Sequence, residues 1–325
     1  MTEWVKRVLI TGMGSELGSH VASRLEAEPW VGAITGIDVD PPRRRLRRAT
    51  FHRIEPLDRR RTLELITRAD PHVLVHAAVW EPNARADPAT AERWTAAAAV
   101  NMLGAAVECR SLEGIVARSG ITVYGRGRGD PSRPDEAVPP APTTPFGHSL
   151  LHVERTAVEA GATAGVPVAI VRVAPVLGPH VPSPLGRMLR LPAVPMSLLA
   201  DPSFSVLGHE DAARAIVAAA HRLPDGPVNV VADGAVTISQ AARLGSRWPL
   251  PLIGPEWPVA RLLAAGLGSP IPPHVLEIVH RGRTADGSRA AEVLGVAPQR
   301  TTVHVIQALY EWATVLHLRP TEAAA

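Results

Sequence analysis

Val8-Leu9-Ile10-Thr11-Gly12-Met13-Gly14-Ser15-Glu16-Leu17-Gly18 decides the fold. Three bulky apolar residues form a short buried strand and run straight into a glycine-rich turn. Leu17, Val21 and Leu25 then recur at helical spacing until Pro29. Strand, glycine turn and helix in that order make the place where a parallel sheet grips a pyrophosphate. Glycines let backbone approach the phosphate oxygens, and the helix start offers free N–H groups and a favourable dipole. Ala33–Asp38 is a second strand. Its last residue stands ~20 positions beyond the turn, where a carboxylate accepts hydrogen bonds from ribose hydroxyls. A carboxylate there repels a 2′-phosphate, so NAD is expected rather than NADP, although Arg43 to Arg45 lie close in sequence. The cofactor contacts expected from this stretch are Thr11, Gly12, Gly14, Ser15, Glu16, Leu17, Gly18 and Asp38.

The alternation continues outward. Leu63 and Ile66 mark a second helix, Val73–His76 a third strand, and Ala91–Cys109 a long Ala-rich helix. Gly114–Arg118 and Val168–Val173 are two further strands. Uniformly apolar strands between amphipathic helices predict an α/β protein with a Rossmann-like, doubly wound parallel sheet. Beyond Pro175, proline crowds into Gly178–Pro195, as suits loops and short helices over a cleft. Val228–Val231 is expected to return to the sheet, and Thr302–His317 to form a terminal amphipathic helix. The expected division is a dinucleotide-binding domain over 1–174 and a smaller, mainly substrate-binding domain over 175–325. Segments around 204–232 are expected to rejoin the first.

Composition narrows the function classes. The 325 residues are 46% hydrophobic, and no apolar run approaches the ~18 needed to span a bilayer. Met1-Thr2-Glu3 leads directly into the strand-like Val5–Ile10, so no signal peptide is expected. Cys109 is the sole cysteine; a disulfide framework is excluded and a cytoplasmic setting is expected. The isoelectric point near 9.7 accompanies a formal charge of only +3. The basic residues cluster at Arg43–Arg48 and Arg59–Arg61 without interleaved aromatics, which indicates a solvated face and not a nucleic-acid platform. His148 and His152 stand at i,i+4 with Glu154 nearby, but no third ligand is spaced for a metal. His209-Glu210-Asp211 suits a helix start. Trp257–Gly266 is too short to insert into a membrane and is expected to pack on the sheet.

With these segments on view, the chain resembles the extended short-chain dehydrogenase/reductases, within the NAD-dependent epimerase/dehydratase group that includes UDP-glucose 4-epimerase. It is most similar to a divergent actinobacterial branch. The segments that carry the likeness include TGMGSELG at 11–18, GID at 36–38, VLVHAA at 73–78 and NMLGAAVE at 101–108. SGITVYG at 119–125, IVRVAPVLGP at 170–179, HEDAARAI at 209–216 and VNVVADG at 228–234 extend it almost end to end. The resemblance implies a nucleotide-sugar substrate in a small C-terminal domain. It also implies Glu55 and Pro56 near the adenine, and His76, Ala77 and Ala78 along the dinucleotide cleft. By analogy, the Ala-rich helix 91–109 could pair two copies into a homodimer.

Departures from the family pattern then matter. The middle glycine of Thr-Gly-x-x-Gly-x-x-Gly falls on Ser15, whose Cβ intrudes where backbone meets phosphate and whose hydroxyl could donate to an oxygen. The family uses a Tyr-x-x-x-Lys pair and a Ser or Thr hydroxyl for proton transfer. Aligned on Val123-Tyr124-Gly125 and on Glu154, the hydroxyl position falls on Gly120, the Tyr on Phe146 and the Lys on Leu150. Neither Phe nor Leu can move a proton, so a degenerate enzyme is expected. Ser119, Tyr124 and Ser149, with His148, are the polar residues near enough in sequence to substitute. Three readings follow: a nucleotide-sugar epimerase or dehydratase with altered catalytic residues, a non-catalytic NAD-binding sensor or scaffold, and an oxidoreductase acting on a hydrophobic alcohol.

Overall fold

A computed structural model describes residues 5–127 and 129–315. The expectations placed on Met1-Thr2-Glu3 and on a helix end at His317 lie outside these residues. Seven parallel strands form the central sheet: β1 (Lys6–Thr11), β2 (Val31–Asp38), β3 (Ala49–Arg53), β4 (Val73–His76), β5 (Gly114–Gly120), β6 (Val168–Val173) and β10 (Gly226–Val230), in the order β10-β6-β5-β4-β1-β2-β3. Strand order reverses between β1 and β4, where Thr11 pairs with His76. A crevice opens at the carboxyl ends of the strands at such a reversal. β4 and β6 are buried along their whole length, consistent with helices on both faces.

The helices are α1 (Glu16–Leu25), α2 (Arg59–Ala69), α3 (Pro88–Ala98), α4 (Gly104–Ala106), α5 (Pro145–Ala164), α6 (Pro184–Leu189), α7 (His209–Arg222), α8 (Ile238–Leu244), α9 (Trp257–Gly266), α10 (Pro273–Arg281), α11 (Ser288–Leu294) and α12 (Thr302–Val315). The expected helix 91–109 is a composite: a π-helical turn, Ala99–Leu103, joins α3 to α4. On α2 the buried face is Thr62, Leu65 and Ile66, and Leu63 points to solvent. Glu210 and Asp211 occupy the first turn of α7, against the positive end of its dipole.

Two apolar cores organise the chain. The first surrounds the seven-stranded sheet and includes α7, β10 and, unforeseen from sequence, Ala290 and Leu294 of α11. The second gathers Leu185, Met188, Phe204, Ile278 and Leu309 around two small sheets. Those sheets pair β7 (Val176–Leu177) with β9 (Leu207–Gly208), and β8 (Ala193–Ser197) with β11 (Trp248–Leu252). α9 joins this second core through Trp257 and Ala264 instead of packing on the main sheet, and it leaves Leu262 and Leu263 exposed. Among the described residues, no helix is long and apolar enough to cross a membrane.

Candidate active site

The glycine turn is held by backbone proximity. Gly12 has φ +78°, and a Cβ on it would stand 2.6 Å from the Ala77 carbonyl and the Ala78 nitrogen. A Cβ on Gly18 would meet the Gly12 carbonyl oxygen at 2.1 Å, so only glycine lets α1 start this close to the turn. Ser15 takes the N-cap position: its Oγ accepts from Gly18 N at 2.9 Å and donates to the Gly12 carbonyl at 2.8 Å. The hydroxyl foreseen as a phosphate donor is therefore engaged inside the turn. Glu16 bends back to His20, with Oε1 3.1 Å from Nε2, and that hydrogen bond holds its carboxyl below the ordinary range.

Asp38 ends β2 almost wholly buried. Its Oδ1 accepts from Val39 N at 2.6 Å. Oδ2 is buried without a hydrogen-bond partner among the described residues, and Arg85 Nη1 stands 3.9 Å away. Burial raises this carboxyl's pKa, and the charge of Arg85, which also pairs with Asp40, works against the rise. His76 is fully buried; Nδ1 lies 2.9 Å from Thr11 Oγ1, and Nε2 has no partner among the described residues. Burial pushes its imidazole down to about 3, so the ring is neutral at physiological pH. Glu55 is exposed on the loop after β3, and Pro56 is buried there with its carbonyl accepting from Asn101. A carboxylate oxygen left orphaned at the end of β2, beside a helix start whose Ser15, Glu16 and Leu17 line a groove, fits a dinucleotide. That groove also touches Glu81, Arg85 and Arg118, none of which sequence reasoning singled out.

A second hollow adjoins it and shares Glu81, Arg118 and Val176 as walls. Gly120, Phe146 and Leu150 all line it. Thr144 caps α5, accepting from Gly147 N, and Pro145 opens the helix, so Phe146 and Leu150 come to one face a turn apart. They are 8% and 1% exposed. Gly120 is extended, and a Cβ on it would stand 3.4 Å from Leu150 Cδ1. Gly120, Phe146 and Leu150 thus meet on one wall of the hollow.

The polar candidates are dispersed. Ser119 lines the hollow, but its hydroxyl donates to Glu154 Oε1 at 2.6 Å. Glu154 pairs with Arg172 at 2.7 Å, Arg172 donates to the Tyr124 hydroxyl at 2.9 Å, and Tyr124 donates to Asn229 at 2.9 Å. Tyr124 is thus fixed within a buried network, and burial raises its pKa. Ser149 donates to the Pro145 carbonyl on the outer side of α5 and does not line the hollow. His148 and His152 are both exposed. Across from Phe146, at 4.8 Å between ring centroids, stands His274 of α10, hydrogen-bonded to Glu81 at 3.0 Å.

The model of the NAD dependent epimerase/dehydratase family matches residues 8–226. The chain belongs to that family. An uncharacterized protein of Mycobacterium tuberculosis is 28% identical over 313 residues, covering 93% of this chain and 82% of its own length. A UDP-glucose 4-epimerase from Thermotoga maritima, solved with UDP-glucose, superposes with a TM-score of 0.75 at 18% identity, over 95% of this chain and 99% of that one. The UDP-glucuronic acid 4-epimerase of Bacillus cereus, solved with NAD, gives 0.73 at 18% identity, over 95% and 99%. A tyrosine-to-phenylalanine mutant of the Bacillus enzyme, in complex with a fluorinated UDP-glucuronic acid and NAD, gives 0.70 at 18%, over 96% and 100%. These likenesses establish the fold of this family member, a Rossmann-like parallel sheet flanked by helices.

Proposed function

We propose that this chain binds NAD along the carboxyl ends of β1, β2 and β4, holds a nucleotide sugar in the adjoining hollow, and lacks the proton-transfer route of active epimerases. The carrying observation is the wall formed by Gly120, Phe146 and Leu150. A benzyl ring has no ionisable proton, and an isobutyl group can neither lower a phenol's pKa nor bond a ribose. General acid–base catalysis contributes ~10²–10⁴-fold, so epimerisation by that route is lost. The Bacillus mutant supports the binding half of the proposal, since a phenylalanine-bearing epimerase holds both NAD and a sugar nucleotide.

Toward the cofactor, Asp38 would accept from ribose hydroxyls, and the first turn of α1 would donate to phosphate. When bound, a nicotinamide dinucleotide supplies reversible two-electron oxidation of a carbon bearing a hydroxyl. A second reading, a hydrophobic alcohol as ligand, is favoured by the apolar wall of Val173, Ala174, Pro175, Leu185 and Ile278.

The test pairs calorimetric titration of NAD with an assay of UDP-glucose and UDP-galactose interconversion. NAD is expected to bind, and wild-type turnover is expected to fall far below ordinary rates. The triple variant Phe146→Tyr, Leu150→Lys, Gly120→Thr is expected to raise it. Ordinary epimerisation by the wild type would contradict the proposal. A triple variant that gains nothing would show that the substrate pocket has diverged as well.

A further inference from the structure

The hollow contains a titratable pair that the family pattern does not supply. Glu81 lies on the loop that follows β4, and His274 enters on the first turn of α10, 193 positions later. Their side chains are 24% and 6% exposed. Both line the hollow with Gly120, Phe146 and Leu150, and the imidazole packs against the Phe146 ring at an interplanar angle of 47°. A proton-transfer group brought by α10 therefore faces the wall from which α5 has removed one.

We propose that His274, oriented by Glu81, meets a ligand hydroxyl in this hollow and takes its proton. The inference rests on the reading that the hollow receives a hydroxyl-bearing ligand beside a dinucleotide. A carboxylate can only accept, so Glu81 Oε1 takes the Nε2–H and fixes the tautomer in which Nδ1 carries the lone pair. On transfer, the ligand O–H bond breaks and an N–H bond forms at Nδ1. The ligand oxygen keeps the electron pair, and the imidazolium charge lies against Glu81. The reverse step returns the proton to the same oxygen.

Glu81 is the positioning residue. Arg118 of β5 and Arg187 of α6 also act on its charge. Glu277, one turn along α10, is engaged by Thr143 and Arg283. The acid–base partner of His274 is thus Glu81 alone among these groups.

UDP-glucose, UDP-galactose and cyclohexanol are to be titrated calorimetrically into the full chain, with and without NAD, from about pH 5.5 to about 8.5. The same series is run on His274→Gln and Glu81→Gln, with NAD alone as a parallel measurement. At least one probe is expected to bind the wild type, and His274→Gln to weaken it roughly tenfold or more. Glu81→Gln is expected to move the acid-side loss of binding to lower pH, because the imidazolium loses its carboxylate support. NAD affinity should stay within about twofold in both variants. With NAD present, the bound probe should produce reduced-nicotinamide absorbance that His274→Gln lowers ~10²-fold or more.

No probe binding, unchanged affinity in both variants, or no absorbance gain in a wild type that binds NAD and probe would each overturn the proposal. Should His274→Gln fail to fold, the pH shift in Glu81→Gln decides. If NAD does not bind but His274→Gln still weakens a probe, the dinucleotide reading falls and the ligand contact stands.

Discussion

At Ser15 a single side chain does the work of both a cap and a turn clasp, through Gly18 N and the Gly12 carbonyl. Ser15→Ala should cost ~1 kcal/mol of stability, measured by urea unfolding, because an N-cap acceptor is lost. Ser15→Gly should cost only a few tenths, since glycine is a tolerated cap. The glycine variant should also tighten NAD binding several-fold by calorimetry, because a Cβ beside the proposed phosphate site is removed. Equal NAD affinities for serine and glycine would mean that the turn holds the cofactor elsewhere. Ser15 and Asp38 were legible in the sequence because each stands at a fixed offset from a helix start or a strand end, whereas Phe146 and Leu150 were picked out only through the family resemblance. Glu81 and His274 were not legible. No periodicity links residues 193 positions apart. The one local signal for Glu81, its place just past a strand that ends at the crevice, is shared by every loop on that edge.

Among the elements, α5 carries the most information about the site. Thr144 and Pro145 start it, and Gly165 ends it in the left-handed region. One face presents Phe146 and Leu150 to the hollow, and the next turn sends Glu154 to Arg172 of β6. The ion pair is 4% exposed on both sides. Removing one partner leaves the other charge buried alone, so Glu154→Ala should cost about 3–5 kcal/mol in urea unfolding. Its loss should also free Ser119 and loosen Tyr124. A cost under about 1 kcal/mol would show that water reaches Arg172 and that the network is open. Strand runs such as Val73–His76 were legible because parallel strands covered on both faces are apolar throughout. β3 escaped notice: Ala49–Arg53 is an edge strand with no fully buried residue, so neither a uniform nor an alternating apolar pattern marks it.

For the whole molecule, pH response and ligand linkage are the accessible properties. His76 is held neutral with its pKa pushed down to about 3, whereas an unfolded histidine titrates near 6.5. The unfolded chain therefore binds more protons between those values. The stability associated with His76 is intact above about pH 6.5 and drains as pH falls toward about 3. Asp38 acts in the opposite sense. Its raised pKa favours the folded state at low pH, and that contribution is lost as pH rises through the folded value. Urea midpoints measured through the acid range should drop less steeply for His76→Asn than for the wild type. An unchanged slope would place the acid sensitivity elsewhere. Saturating NAD should raise the thermal midpoint, because a hundredfold excess over Kd stabilises the folded chain by ~2.7 kcal/mol.

The most direct measurement is a crystal structure of the chain with NAD bound. The Phe146 ring and the Leu150 side chain should lie in van der Waals contact with the nicotinamide riboside, with His274 facing it across the hollow. A tyrosine, lysine or serine within hydrogen-bond distance of the nicotinamide ribose, and Phe146 and Leu150 turned away from it, would contradict the account.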